Sequence, residues 1–336
     1  MKGGKRIRIV FYLLVAAGAA LFTFLLIHQG APQVMAAFAS AGWWIAAVVI
    51  YHFAVPLLLD ALAWWSLFPK SERLPLRETF WMRWIGESVS TLVPSASVGG
   101  DFVRARLAAL HGAPIPTAAA SVLADLTLGV FVQIVFTLLG LALIVTATGH
   151  QSFVRPTLIG AVIGVLAIIG FYVVQRLGMF RFIGKMISRL ANAGDWHSLV
   201  HSGHTLDEAV RKLYARRRGV IGCCVWTATS LILGSGEIWI ALHALGLHAA
   251  LVNSVILQSM VLAIRSAVFP VPGALGVQEG AYVVVGNLLG IPGDAAFALS
   301  LIARVRELMV GIPGLIAWQL IEARRVWRAR LAANAR

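Results

Sequence analysis

The sequence predicts an all-α integral membrane protein with six full transmembrane helices and two re-entrant helical hairpins, arranged as an inverted repeat. Hydrophobic residues make up 59% of the 336 residues and charged residues only 12%, whereas a soluble domain carries roughly 25% charged residues. The mean hydropathy is +0.84, and the apolar residues fall in blocks long enough to cross about 30 Å of hydrocarbon. We therefore expect a single transmembrane domain over residues 1–336, without a large soluble catalytic domain.

The positive charge predicts the orientation in the membrane. The net charge is +14, and most Lys and Arg residues lie in clusters at 2–8, 70–83, 176–218 and 324–330. Basic residues next to spans mark the cytoplasmic side, so both termini are expected in the cytoplasm, with anionic lipids as partners at that face. Nucleic-acid binding is not expected, because it needs a basic face on a folded soluble module.

The order of apolar blocks gives the expected elements. The first block is interpreted as a retained span, since it is long for a signal peptide. A cytoplasmic loop at 176–218 is expected to contain an interfacial amphipathic helix. The six full spans are predicted at 9–27, 43–68, 117–148, 156–175, 219–245 and 295–321.

Two further apolar segments are interrupted by Gly and Pro, which predicts two hairpins. The first has arms at 79–93 and 102–111, and the second has arms at 253–269 and 277–289. Backbone breaks at membrane depth are tolerated only where protein or a water-filled cavity covers them. The residues expected to form the breaks are Pro94, Gly99, Gly100, Pro270, Pro272, Gly273 and Gly276.

The two breaks also reveal an internal repeat. Pro94 and Pro270 are 176 residues apart, and Gly112 and Gly290 are 178 residues apart. The expected halves are 9–152 and 153–323, with opposite orientations. Paired interrupted segments in two halves indicate a transporter binding site; the alternative is that the breaks only help the helices to pack.

Charged residues inside apolar segments predict a polar cavity. Each costs about 2.5–3.5 kcal/mol at a helix centre, so such groups usually pair or face a cavity. The alternative is a set of structural ion pairs. We expect Arg304 to have an acidic partner among Asp125, Glu279 and Glu307. The full set of candidate cavity residues is Arg83, Glu87, Asp101, Arg104, Asp125, Glu237, Arg265, Gln278, Glu279, Arg304 and Glu307.

No motif for a cofactor, a metal or catalysis is present in the sequence. It contains neither a phosphate-binding loop nor a dinucleotide fingerprint nor an HExxH pair. His197, His201 and His204 have helical spacing, but they are expected on a solvated face of the loop. We predict no cofactor, no metal and no catalytic residue.

Several motifs resemble those of the lysylphosphatidylglycerol synthase transmembrane-region family of flippase-like proteins. They are RWIGE at 83–87, LVP at 92–94, VGGDFVR at 98–104, FPVPGALGVQEG at 269–280 and LIAR at 301–304. Further segments, AASVLADLT at 119–127, RSA at 265–267 and RVREL at 304–308, are most similar to the hopanoid-biosynthesis-associated subgroup. The resemblance implies a bacterial inner-membrane protein associated with lipid translocation. Bifunctional relatives carry a soluble aminoacyl-transferase domain, which this sequence lacks, so aminoacyl transfer is not expected.

Carried over position by position, the resemblance implies a set of functional residues. They are Glu87, Pro94, Gly99, Gly100, Asp101, Asp125, Pro270, Gly273, Gly276, Glu279 and Arg304.

The function favoured by the sequence is translocation of a hopanoid, a phospholipid or another amphipathic lipid, with its headgroup in the charged cavity. The alternative is a non-transporting scaffold that holds lipid-synthesis enzymes through the 176–218 loop. Deletion of that loop is expected to discriminate between them. An intramembrane enzyme is a third hypothesis, for which no nucleophile or base is identified. The expected protein partners are a second copy of the chain or lipid-synthesis enzymes.

Overall fold

A computed structural model describes residues 23–29, 31–93, 98–148, 203–267 and 274–334. Within these ranges the chain is helical and contains no strand. The helices are α1 (Ala31–Ala41), α2 (Trp44–Ala54), α3 (Pro56–Leu67), α4 (Leu76–Leu92), α5 (Val98–Leu110), α6 (Ile115–Thr148), α7 (Gly203–Ala215), α8 (Arg217–Ala244), α9 (Leu251–Ala267), α10 (Val277–Leu288) and α11 (Gly293–Asn334).

Three segments of the described chain are long and apolar enough to cross a bilayer. They are Trp44–Leu67, Ile115–Thr146 and Arg217–Ala244, with 24, 32 and 28 residues. At about 1.5 Å per residue, each exceeds the thickness of the hydrocarbon core. Helix α11 is longer still, but charged residues divide it into apolar stretches that are each shorter than these three segments. These segments confirm a helical membrane protein, whereas the count of six spans and the re-entrant hairpins remain predictions.

Some predicted features lie outside the described residues. They include nearly all of the span at 9–27, the span at 156–175 and the interfacial helix in the first part of the 176–218 loop. The break residues Pro94, Pro270, Pro272 and Gly273 also lie outside.

The second predicted span is broken in its middle. Helix α2 ends at Ala54, and Pro56 occupies the first position of α3. Proline has no amide hydrogen, so the carbonyl of His52 lacks the donor that a continuous helix would supply. The two halves of this span therefore place His52 and Asp60 on either side of a backbone break.

The first hairpin differs from the prediction at its break. Helix α5 begins at Val98, so Gly99, Gly100 and Asp101 form helix rather than the break. A side chain at Gly100 would collide with the carbonyl oxygen of Gly86 on α4. Glycine is therefore needed here for close packing of the two arms, which is a different role from breaking the helix. In the second hairpin, Gly276 does lie at the break, with a φ of +74° directly before α10.

The two hairpins end in the same local structure. Gly112 and Gly290, 178 residues apart, have φ values of +100° and +76°, the left-handed conformation that terminates many helices. The amide after each glycine donates to the carbonyl five residues earlier, over 3.1 and 2.9 Å. Pro114 and Pro292 then precede α6 and α11, and their carbonyls accept the first helical hydrogen bonds. The spacing of the sequence repeat therefore also separates two copies of the same local backbone structure.

Packing between helices follows a crossed pattern. The first arm of each hairpin packs on the long helix that follows the other hairpin, α4 on α11 and α9 on α6. The broken second span and α8 hold equivalent places in the two predicted halves. They also pack closely against each other, through contacts between α3 and α8. The charged residues of the arms and long helices are thereby brought to the centre of the bundle.

Helix α7 is a feature that the sequence interpretation missed. It lies at the end of the 176–218 loop, where histidine spacing suggested only a solvated face. Val210 and Leu213 on α7 are buried in a core cluster with residues of α3 to α6, and α7 packs along α6. This part of the loop therefore belongs to the folded core.

Candidate functional site

A first charge cluster, made of Asp60, Arg83, Asp101, Arg104 and Asp125, joins the first hairpin to its neighbours. Asp125 on α6 accepts hydrogen bonds of 2.7 Å from both Arg83 and Arg104. Arg83 also donates to Asp60 over 3.2 Å, and Arg104 donates to Asp101 over 2.5 Å. Carboxylates and guanidiniums alternate along this chain of contacts, which is how buried charges are usually tolerated.

A second charge cluster contains His52, Glu87, Glu237, Arg265, Glu279, Arg304, Arg306 and Glu307. Arg304 donates to Glu279 over 2.9 Å and to Glu307 over 3.3 Å. Arg265 on α9 donates to Glu307 over 2.8 Å. The expectation of an acidic partner for Arg304 is therefore confirmed. Asp125 is not that partner; it binds Arg83 and Arg104 of the first hairpin instead.

The two clusters have the same internal plan. In each, an arginine on the first hairpin arm binds a carboxylate 42 residues later on the following long helix, as Arg83 binds Asp125 and Arg265 binds Glu307. A second arginine then links that carboxylate to an acid on the second arm. This linking arginine is Arg104 on α5 in the first cluster and Arg304 on α11 in the second.

His52 is the centre of the remaining contacts in the second cluster. Its Nε2 lies 3.1 Å from Glu87 Oε1, and its Nδ1 lies 2.9 Å from Glu237 Oε1. Arg306 Nη1 also lies 2.9 Å from Nδ1, and Arg306 Nε lies 3.3 Å from Glu237 Oε2. His52 is only 5% exposed, so these three side chains define its electrostatic environment.

A cavity of about 250 Å³ connects the two clusters. Its charged lining comes from Asp60 of the first cluster and from His52, Glu87, Glu237, Arg265 and Arg306 of the second. Apolar side chains of α2, α8, α9 and α11 form much of the remaining wall. The cavity therefore has the mixed polar and apolar lining that an amphipathic ligand requires.

The charges of the two clusters do not balance. They contain seven of the 14 Asp and Glu residues in the chain, but only five arginines. With His52 neutral, the network carries two excess negative charges. Buried unbalanced charge is costly, so the network favours binding of a cationic group or a proton.

Every predicted charged cavity residue lies in one of the two clusters. Seven of them do not line the cavity itself: Arg83, Asp101, Arg104, Asp125, Glu279, Arg304 and Glu307. Gln278 is placed differently: it is fully buried, and neither of its amide atoms has a partner among the described residues. The sequence-based set missed three residues, His52, Asp60 and Arg306. Asp60 and Arg306 shared the signal that was used for the others, namely a charge within an apolar segment, whereas a single histidine gave none.

Comparison with known proteins places the chain in a family. The family model of the lysylphosphatidylglycerol synthase TM region matches residues 9–314, which include every residue of both charge clusters. A search of curated proteins finds no match. Because the family match extends over most of the sequence, the chain belongs to the lysylphosphatidylglycerol synthase transmembrane-region family.

Proposed function

We propose that the protein is a lipid translocator, in which a polar headgroup passes through the charged cavity while the hydrocarbon part of the lipid stays in the bilayer. The observation that carries the proposal is the cavity itself. It lies within a bundle of membrane helices, and its lining combines Asp60, Glu87 and Glu237 with Arg265 and Arg306. The family is named after a synthase of a lipid, lysylphosphatidylglycerol, and this supports a lipid as the ligand.

The size of the cavity favours a headgroup over a whole lipid. Pockets for drug-sized molecules measure about 300–1,000 Å³, and this cavity measures about 250 Å³. A hopanoid ring system or two acyl chains would therefore remain outside. The carboxylates are suited to an amine on the headgroup, and the arginines are suited to a phosphate or hydroxyl group.

The finer parts of the proposal follow from the sequence. The substrate is a hopanoid or another amphipathic lipid, and the protein resides in the bacterial inner membrane with both termini in the cytoplasm. It acts as a transporter and catalyses no covalent step. A second copy of the chain and lipid-synthesis enzymes are the proposed partners.

The test uses vesicles that contain the purified protein and a fluorescent phosphatidylethanolamine labelled on an acyl chain. Dithionite destroys the label in the outer leaflet only, so loss of the protected fraction reports translocation. Glu87→Gln should slow this loss roughly tenfold or more, since a hydrogen bond to a charged group contributes about 1.5–3 kcal/mol and 1.4 kcal/mol corresponds to a factor of ten. Lys212→Ala, on the exposed face of α7, is the matched control and should leave the rate unchanged.

The scaffold alternative needs a different test from deletion of the 176–218 loop. That deletion would remove Val210 and Leu213 from the core and disturb the fold under either hypothesis. The exposed charges of α7, Glu208, Arg211 and Lys212, can instead be replaced together by alanine. A scaffold that docks enzymes through this face would lose them, whereas a translocator would retain its rate.

A further inference from the structure

The ring nitrogen Nδ1 of His52 lies close to two groups that require opposite hydrogen-bonding roles from it. Glu237 Oε1, a hydrogen-bond acceptor, lies 2.9 Å away, and Arg306 Nη1, which can only donate, also lies 2.9 Å away. If Nδ1 carries a hydrogen, it can donate a hydrogen bond to Glu237, but it cannot accept one from Arg306. If Nδ1 carries a lone pair instead, it can accept a hydrogen bond from Arg306, but it repels the carboxylate oxygen of Glu237.

Each protonation state of His52 therefore favours a different arrangement of its partners. An imidazolium donates from Nδ1 to Glu237 and from Nε2 to Glu87, which lies 3.1 Å away. Arg306 must then leave Nδ1 and rely on Glu237 Oε2 at 3.3 Å or Glu307 Oε1 at 3.8 Å. A neutral imidazole protonated on Nε2 keeps Arg306 at Nδ1 and repels Glu237 from it.

We propose that His52, Glu237 and Arg306 form a proton-binding site, and that the proton taken up there is the ion that drives lipid translocation. This inference rests on the function proposed above and names its energy source. The proton comes from water that enters the cavity, since His52 and Glu237 both line it. At uptake, an O–H bond of a hydronium ion in the cavity breaks as the Nδ1–H bond forms; at release, the Nδ1–H bond breaks and water on the opposite side accepts the proton.

The charged surroundings of His52 favour a proton as the ligand. Titratable and charged groups face the same cavity from every helix packed around it: Asp60 on α3, Glu87 on α4, Glu237 on α8, Arg265 on α9, Tyr282 on α10 and Arg306 on α11. The excess negative charge of the whole network favours uptake of one positive charge. A proton and an ammonium headgroup would compete for the same carboxylates. Binding of one would release the other, so the protein would exchange protons for lipid.

The arrangement also provides a route from the proton to the helices. Arg306 belongs to α11, which packs against both the first arm of the first hairpin and the second arm of the second hairpin. Its neighbour Arg304 binds Glu279 on that second arm. Movement of Arg306 from His52 on α2 to Glu237 on α8 therefore changes which of these helices α11 is held against.

The proton site can be tested without transport. Protein labelled with ¹⁵N in its nine histidines is placed in liposomes, and solid-state NMR spectra are recorded from about pH 5 to about pH 9, a range that brackets ordinary histidine titration. The difference between wild type and His52→Gln isolates the signal of His52. A change from a lone-pair nitrogen to an N–H nitrogen at Nδ1 supports the site, and a signal that stays constant over this range overturns it.

Coupling is tested in the same vesicles with acyl-labelled phosphatidylethanolamine and a pH difference of about one unit. Exchange of one proton per lipid should sustain about a tenfold ratio of lipid between the leaflets. His52→Gln and Glu237→Gln should abolish the response to the gradient. His243→Gln, a histidine outside the cavity that contacts the carbonyl of Trp239, should keep it.

The outcomes separate the two proposals. If wild type moves the labelled lipid but its leaflet ratio ignores the gradient, proton coupling is overturned and translocation stands. If wild type moves none of the labelled lipid, the proposed function and its coupling are both overturned for this headgroup, while the NMR titration still decides whether His52 binds a proton. Loss of the gradient response in His243→Gln as well as in His52→Gln would also contradict the specific role of His52.

Discussion

Removal of Arg304 should destabilise the protein by leaving a buried carboxylate without its partner. Glu279 is 0% exposed and binds Arg304 Nε through Oε1 over 2.9 Å; its other oxygen has no partner among the described residues. Arg304→Ala therefore leaves the whole carboxylate uncompensated. Breaking one side of a buried pair costs about 3–5 kcal/mol.

Removal of both partners should cost far less than removal of one. Replacement of a buried ion pair by apolar residues of similar volume is often neutral, so the double variant Arg304→Met with Glu279→Met should recover most of the lost stability. Glu307 keeps Arg265 as its partner in that variant, over 2.8 Å. Lipid translocation need not return, because the cluster would have lost two of its polar groups.

Unfolding of the detergent-solubilised protein is followed by tryptophan fluorescence during a denaturant titration, for wild type, Arg304→Ala, the single variants Arg304→Met and Glu279→Met, and the double variant. The exposed pair Glu208 and Lys212, with side chains 52% and 75% exposed, provides the control, and Lys212→Ala should leave the transition unchanged. The interpretation is refuted if Arg304→Ala unfolds like wild type, or if the two single effects simply add in the double variant.

The remaining predictions concern packing and topology. Gly100→Ala should lower the free energy of unfolding by about 1–3 kcal/mol, the usual cost of overpacking, because the new methyl group meets the Gly86 carbonyl. Gly129→Ala on α6, where the methyl group meets nothing within 4 Å, should instead raise it by about 0.5–1 kcal/mol in the same unfolding assay. Cysteines in place of the exposed residues His248 and Lys70 should react with an impermeant thiol reagent from opposite sides, His248→Cys from the periplasm. Labelling of both from one side would contradict the proposed orientation.

Helix positions were predictable from the sequence because apolar block length and Gly/Pro punctuation are local signals. The arm predicted at 253–269 was found as Leu251–Ala267, and the arm predicted at 277–289 was found as Val277–Leu288. The prediction failed at Gly99 and Gly100, where glycine was interpreted as a helix breaker. Close approach of a second helix, a tertiary property, is what requires Gly100 there.

The site was predictable as a set of residues but not as a set of pairs. A charge inside an apolar segment is visible in the sequence, and this signal identified Asp125, Glu279 and Arg304. Which charge meets which depends on the crossing of helices that are distant in sequence. The sequence therefore left three candidate partners for Arg304, of which the structure shows Glu279 and Glu307 but not Asp125. His52 was missed because its importance comes only from three partners on three other helices.

The two charge clusters differ in how completely their atoms are paired, and this difference separates a structural role from a functional one. No buried side-chain atom of the first cluster lacks a partner within the described ranges, and Asp125 holds two arginines. In the second cluster, Glu279 Oε2 and Arg304 Nη2 are buried without a partner among the described residues, and His52 Nδ1 contacts both an acceptor and a donor. A fully paired network is rigid, whereas a network with unpaired buried atoms has spare donors and acceptors to which partners can move. Neutralising Asp125 should therefore reduce stability most, and neutralising Glu237 should reduce translocation most while leaving the fold intact. If Asp125→Asn unfolds like wild type but translocates no lipid, this division of roles is wrong.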